Sequence, residues 1–189
     1  AVVRIAEGYV RGTVTTRYRA FRGIPFAAPP IGSLRFAPPA TRQAWNGTLD
    51  ATNYAYNCLQ SPDFDPAQPP DTLSEDCLYL NVWTPAWANA TSKLPVFFWI
   101  HGGGYQGGGA NESRLNGLFD VELTENMVVV VTNYRLNVFG FLGAQELRVR
   151  DPRNGTANYG LLDQRAALKW VQSNIAAFGG DPARVLLAG

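Results

Sequence analysis

The sequence predicts an α/β chain in which an antiparallel meander leads into a mainly parallel central sheet, and three observations carry that prediction. Residues 96–100 and 127–132 are apolar runs without polar alternation, which suits strands covered on both faces of a parallel sheet. Between the second run and a third at 184–188 lies a stretch, 160–177, with apolar residues at 161, 162, 166, 168, 170, 171 and 175, the spacing of an amphipathic helix. Before them, residues 2–26 alternate in short segments broken by glycines, the pattern of a small meander exposed on one face. Strand, loop, strand, helix, strand is the order expected of a parallel α/β sheet.

The elements follow in order. Residues 25–39 hold five prolines and must be loop, and 45–56 reads as irregular. The segment between Cys58 and Cys77 is polar and stiffened by proline, so it reads as a surface loop. Residues 77–85 alternate and are rich in aromatics, which makes a strand. Pro95 can open the next strand but could not occupy its middle. Residues 114–125 are weakly helical, 133–142 form a packed loop, and Gly179-Gly-Asp-Pro182 stops the long helix. The run at 184–188 reads as a further buried strand that has only begun, so residues 1–189 are expected to be the N-terminal portion of a single larger domain.

Composition narrows the function. The net charge of +1 and a charged fraction of 16% give no electrostatic case for nucleic acid or for an anionic membrane surface. No apolar run reaches membrane-spanning length, so no integral membrane contact is expected, and Ala1 opens no leader-like stretch. No spacing of His, Cys, Asp or Glu indicates a metal site, and no cofactor is expected. The two cysteines allow one pairing, Cys58 with Cys77. Four Asn-X-Ser/Thr sequons, at Asn46, Asn89, Asn111 and Asn154, favour a glycosylated, secreted, extracellular protein, a setting that also permits the disulfide.

The chemistry concentrates at residues 94–109, where an apolar run meets six glycines in eight positions, 102–104 and 107–109. Glycines let backbone N–H groups approach a ligand closely, and such groups at the end of a buried strand bind negative charge. Gly102-Gly-Gly-Tyr-Gln-Gly107 satisfies the G-x-G-x-x-G pattern of dinucleotide sites. That reading needs a helix opening at the third glycine, whereas Gly108-Gly-Ala-Asn-Glu-Ser113 is poor helix material. A Walker loop is excluded, since no G-K-[ST] follows. His101-Gly-Gly-Gly104 directly after a buried strand instead matches the oxyanion-hole loop of ester-cleaving enzymes.

The chain resembles the type-B carboxylesterase/lipase family of cholinesterase-like α/β-hydrolases, and within it the fungal secreted carboxylesterases and lipases. Four ordered runs carry the resemblance: Phe21-Arg-Gly-Ile-Pro-Phe-Ala-Ala-Pro-Pro30, Ser74-Glu-Asp-Cys-Leu-Tyr-Leu-Asn-Val82, Asn158-Tyr-Gly-Leu-Leu-Asp-Gln-Arg-Ala-Ala-Leu-Lys-Trp-Val171 and Phe178-Gly-Gly-Asp-Pro182. Asn133-Tyr-Arg135 and Gly140-Phe-Leu142 add to them. The resemblance implies the N-terminal part of an α/β-hydrolase fold and a serine carboxylesterase or lipase acting through an acyl-enzyme. It implies that Gly103 and Gly104 supply oxyanion N–H donors, with Gly102 and Tyr105 shaping the loop against substrate. The nucleophile elbow would begin at Gly189, so the serine, the acid and the histidine base are expected in the remainder of the same polypeptide. His101 sits beside the oxyanion glycines and is read as bracing the loop, not as the base.

Other residues take structural roles on the same resemblance. Arg35 pairs with Glu75, and Arg135 with Asp163, as ion pairs tying loops to the sheet. Glu75 and Asp76, as neighbours on a strand, should face opposite ways and form no acid/base pair. The eighteen residues between the cysteines carry one aromatic, Phe64, which is too little apolar surface for a lipase lid and favours soluble esters over lipid. Tyr105, Trp83, Trp87 and Phe139 are candidates for lining the substrate gorge, with core packing the commoner role for all but Tyr105. The rival to the enzyme is a cholinesterase-like binding or adhesion domain without the nucleophile; the intact glycine triplet favours the enzyme. The sequence sets no oligomeric state.

Overall fold

A computed structural model of the chain describes residues 1–61, 72–111 and 125–189. A six-stranded sheet is its backbone, in the order β11-β9-β10-β8-β4-β3. Strand β3 is Thr13–Val14, β4 Tyr18–Pro25, β8 Tyr79–Pro85, β9 Leu94–Ile100, β10 Val128–Thr132 and β11 Gly180–Ala188. The sheet is mixed. β10 and β11 both run parallel to β9, whereas β8 is antiparallel to β10 and to β4, so one sheet joins the meander to the parallel half.

The meander itself divides. β1 (Val2–Ile5) and β2 (Gly8–Arg11) form a hairpin that leaves the main sheet and pairs with β5 (Thr48–Asp50), in a stretch that reads as irregular in sequence. β5 adds to β2 in parallel register, Val10 opposite Leu49, a long-range pairing that no local pattern encodes. A third small pair, β6 (Asn57–Cys58) with β7 (Leu73–Ser74), closes the disulfide segment, and Cys58 and Cys77 are bonded.

Parity along the strands divides the core between the two faces. Leu80, Val82, Val96, Phe98, Val128 and Val130 pack on one face with Trp170, Val171, Ile175 and Phe178. Trp83, Val129 and Val131, with Phe97 and Trp99 stacked at 6.1 Å, make a smaller cluster on the other. Burying each large apolar side chain stabilises the fold by about 1.5–3 kcal/mol. β8 is buried at every position after Tyr79 instead of alternating, because its polar residues are consumed internally. Asn81 accepts from Gly23 N–H at 2.8 Å and donates to Ala110 C=O at 2.9 Å, and Thr84 donates to Phe178 C=O at 2.7 Å.

Two further elements differ from the sequence reading. Residues 133–142 contain a short helix, α1 (Asn137–Phe141), and α2 (Gln145–Arg148) follows it. The long helix, α3, runs Tyr159–Asn174 and tightens into a 3-10 turn at Ile175–Phe178. Its buried stripe is Tyr159, Gly160, Asp163, Ala167, Trp170, Val171 and Asn174, so Leu161 faces outward and a carboxylate lies where an apolar residue would be expected. Strand β11 is the outermost strand among the described residues, with Leu186 62% and Leu187 53% exposed in this chain. The expected helix at 114–125 falls almost wholly outside the described residues.

Gly160 explains how α3 comes so close to the segment 135–141. A Cβ there would stand 2.5 Å from the Arg135 carbonyl and 2.7 Å from the Phe141 ring, contacts that only glycine avoids. The approach sets Asp163, one turn further on, against Arg135.

Candidate active site

The glycine stretch leaves β9 at Ile100, at the carboxyl ends of the parallel strands β9, β10 and β11, where open α/β sheets bind their ligands. His101 is buried, its ring stacked on Tyr134 at 4.4 Å and its Nδ1 2.9 Å from the Gly102 carbonyl. Tyr134 returns its hydroxyl to the His101 carbonyl at 2.9 Å. The histidine therefore braces the loop.

Gly103 C=O accepts from Gln106 N–H at 3.0 Å and Gly107 N–H at 3.3 Å, which closes a tight turn. The turn needs unusual backbone: φ is +116° at Gly103, +60° at Gly104 and +62° at Tyr105. Tyr105 adopts the left-handed region at a cost of about 1–2 kcal/mol, offset by neighbours that fix it. Its carbonyl accepts from Asn137 N–H at 2.9 Å, and its ring lies 4.9 Å from Phe141 and 6.3 Å from Tyr134. Among the described residues, no acceptor takes the N–H of Gly103 or Gly104.

Gly102 and Gly104 edge an open cleft of about 480 Å³, bounded by Tyr105, Tyr134, Gln164 of α3 and the Ala188–Gly189 end of β11, and Gly103 sits between them in the turn. A Cβ at Gly102 or Gly104 would meet nothing within 4 Å, so a side chain there would project into free space. Two unpartnered N–H donors beside an open cleft can hold a developing oxyanion. A larger cleft of about 570 Å³ lies between α3 and residues 38–41, but no glycine-loop residue lines it, and we assign the chemistry to the smaller one.

Asn137 holds the near arm at the Tyr105 and Gln106 carbonyls, and other side chains anchor the far arm. Residues 107–110 are buried and non-helical, so the helix that dinucleotide binding needs at Gly107 does not form. Gln60 brackets Gly108, donating to its C=O and accepting from its N–H, both at 2.8 Å. Ala110 N–H donates to Asn133 Oδ1 at 2.7 Å, while Asn133 Nδ2 donates to the Tyr56 and Cys77 carbonyls at 2.9 and 3.1 Å. Asn57 donates to Asn111 Oδ1. Gln60, Asn133 and Gln164 were not singled out from sequence. Asn133 and Gln164 lie within runs that carry the resemblance, and Gln60 had only its place beside Cys58 to mark it.

The ion pairs flank this frame. Arg135 and Asp163 meet through two hydrogen bonds of 2.8 Å, the Arg135 N–H adds a third of 3.1 Å, and their side chains are 3% and 0% exposed. Arg35 and Glu75 meet at 2.5 and 2.6 Å nearer the surface. Glu75 and Asp76 lie in a bend instead of a strand; Glu75 goes to Arg35 and Asp76 to Tyr79. Burial, and then the Asp76 charge, push the Tyr79 phenol from 10.0 up to about 12. Because the folded value is the higher one, Tyr79's contribution to stability is complete below pH 10.0 and is lost as pH climbs towards about 12. Tyr79→Phe should flatten the fall in denaturation midpoint across that window; an unchanged slope would refute the assignment.

Of the proposed gorge aromatics, only Tyr105 edges the cleft, 50% exposed. Trp83 is fully buried and Phe139 stacks on Phe36 at 6.0 Å. Trp87 is neither core nor gorge. The antiparallel register of β8, with Leu80 opposite Thr132, carries residue 87 to the opposite end of the sheet, where it is 60% exposed. Asn46, Asn89 and Asn154 are exposed, while Asn111 is half-buried and engaged by Asn57. Among the described residues, no three of His, Cys, Asp or Glu gather as a metal cluster, and no helix is long and apolar enough to cross a membrane. Phe64 and most of the presumptive lid lie outside the described residues.

A sequence profile of the carboxylesterase family matches residues 1–189 in full. The chain belongs to the carboxylesterase family. It is 45% identical over 181 residues to a fumonisin B1 esterase of Sphingopyxis macrogoltabida, covering 95% of this chain and 32% of that protein. It is 44% identical over 183 residues to a cocaine esterase of Homo sapiens, covering 90% of this chain and 31% of that protein. Among solved structures, a PNB esterase superposes with a TM-score of 0.85 at 39% identity, covering 98% of this chain and 37% of that one. Aspergillus niger EstA superposes with a TM-score of 0.81 at 35% identity, covering 98% and 35%. The fold of this family member is accordingly that of the α/β-hydrolases, and the chain spans about a third of the length of the curated relatives it matches.

Proposed function

We propose that the complete protein is a serine carboxylic-ester hydrolase, to which this chain contributes the oxyanion hole and, between the two cysteines, the lid loop. The observation that carries this reading is the pair of N–H groups at Gly103 and Gly104, which have no acceptor among the described residues, in a turn whose Gly102, Gly104 and Tyr105 edge an open cleft beside the end of β11. The esterase names of the relatives support it.

On this reading the substrate carbonyl enters with its oxygen towards Gly103 and Gly104. A serine two residues beyond Gly189 adds to the carbonyl carbon as its proton passes to a histidine, and the carbonyl electron pair moves onto oxygen. The two N–H groups stabilise that charge by about 3–4 kcal/mol per donor. Collapse restores the carbonyl, expels the alcohol with the histidine's proton, and leaves an acyl-enzyme that water hydrolyses. The rigid, strained turn at 103–105 suits this role, since donors already aimed need no reorganisation during reaction.

We also propose that the protein is secreted and glycosylated and acts on soluble esters, supported by the exposed sequons at Asn46, Asn89 and Asn154, the disulfide and the weakly apolar loop composition. The test is intact mass of the full-length protein before and after an organophosphate, with p-nitrophenyl butyrate hydrolysis followed alongside. One adduct per molecule and matching loss of turnover are expected. No adduct and no turnover would leave a binding domain that has kept the glycine loop as a relic.

A further inference from the structure

We propose that Gln60 is a positioning residue for the oxyanion turn, through which the disulfide-bonded segment holds the Gly103 and Gly104 donors in register; this rests on the esterase reading above. The near arm of the loop, residues 102–106, is exposed and strained, and its turn closes on Gly103 C=O partly through Gly107 N–H. Whatever fixes Gly107 and Gly108 therefore fixes where Gly103 sits. Gly108 is buried, and both of its backbone groups are taken by one side chain, the Gln60 amide, at 2.8 Å each. That amide is held in turn, since its Nε2 also donates to the Cys58 carbonyl at 3.1 Å. Cys58 is bonded to Cys77, whose carbonyl accepts from Asn133. The path from disulfide to donors is thus continuous: Cys58, Gln60, Gly108, Gly107, Gly103.

The geometry makes Gln60 hard to replace. Only a primary amide at this reach both donates to Gly108 C=O and accepts from its N–H. Alanine leaves both groups unpaired in the interior, and the loop would shift to find partners. A shift of about 1 Å in positioned groups costs up to about 100-fold in rate. Because the donors act chiefly on the tetrahedral state, the loss should fall on kcat and spare KM.

The experiment uses the full-length enzyme with Gln60→Ala and Gln60→Glu, reading kcat and KM on p-nitrophenyl butyrate with active sites counted by organophosphate titration. A trifluoromethyl ketone, whose adduct with the serine places an oxyanion in the hole, supplies a second readout. Gln60→Ala should lower kcat per titrated site about 10- to 100-fold, with KM within about twofold, and weaken the ketone in proportion. Gln60→Glu, which keeps the acceptor for Gly108 N–H, should lose less. If alanine does not fold, a smaller loss of the same kind in the glutamate variant still supports the assignment. Unchanged kcat per site in either folded variant overturns it, as does a loss confined to KM. Wild-type protein that neither takes up organophosphate nor turns over ester sinks the esterase reading; active wild type with an indifferent Gln60 sinks this inference alone.

Discussion

Gly104→Ala in the full-length enzyme is expected to lower kcat on p-nitrophenyl butyrate by about 10²- to 10³-fold with little change in KM. The reason is conformational, not steric. The Cβ would meet nothing within 4 Å, but φ is +60°, a region alanine occupies at a cost of about 1–2 kcal/mol. The turn would relieve that cost by swinging the residue 104 N–H away from the oxyanion position. Gly102→Ala separates the two causes. That residue lies outside the left-handed region and its Cβ also meets open space, so its effect is confined to the volume it takes from the cleft and should be smaller. Rates for Gly104→Ala within threefold of wild type would remove Gly104 from the oxyanion hole.

Asp163→Ala is expected to destabilise the protein by about 3–5 kcal/mol, read as a lowered urea midpoint at constant m-value. Burial pushes the Asp163 carboxyl upwards, against the hydrogen bonds and charge of Arg135. The substitution strands a guanidinium that is 3% exposed, without its two hydrogen bonds to the carboxylate, and takes the acceptor from the Arg135 backbone N–H. Replacing both partners, as in Arg135→Met with Asp163→Leu, should recover much of the loss, because a buried pair is costly mainly when halved. Activity should fall as well. Arg135 opens the segment into α1, where Asn137 N–H holds the Tyr105 carbonyl, so the ion pair is coupled to the oxyanion turn. A midpoint shift equivalent to less than 1 kcal/mol would mean that water replaces Asp163.

Much of this was legible before any fold was known. Apolar runs at 96–100 and 127–132 became β9 and β10 in parallel register, because strands covered on both faces cannot alternate. Elsewhere one-dimensional pattern misled. β8 looks alternating, but Asn81 and Thr84 are buried against backbone partners more than twenty residues away. The α3 stripe includes Asp163 because Arg135 meets it across the sheet end.

By itself, the sequence determined local chemistry: which segments are strand or helix, which residues can form a tight donor-rich turn, and that two cysteines could pair. Each of those depends on side-chain type and spacing within about a turn or a strand. Only the tertiary structure decided what Gln60 and Asn133 hold, which end of the sheet Trp87 occupies, and that the Gly103 and Gly104 N–H groups find no acceptor among the described residues while Gly108 is clamped. Those facts depend on strand register and on contacts between residues as far as 77 apart in sequence, which local propensity does not encode.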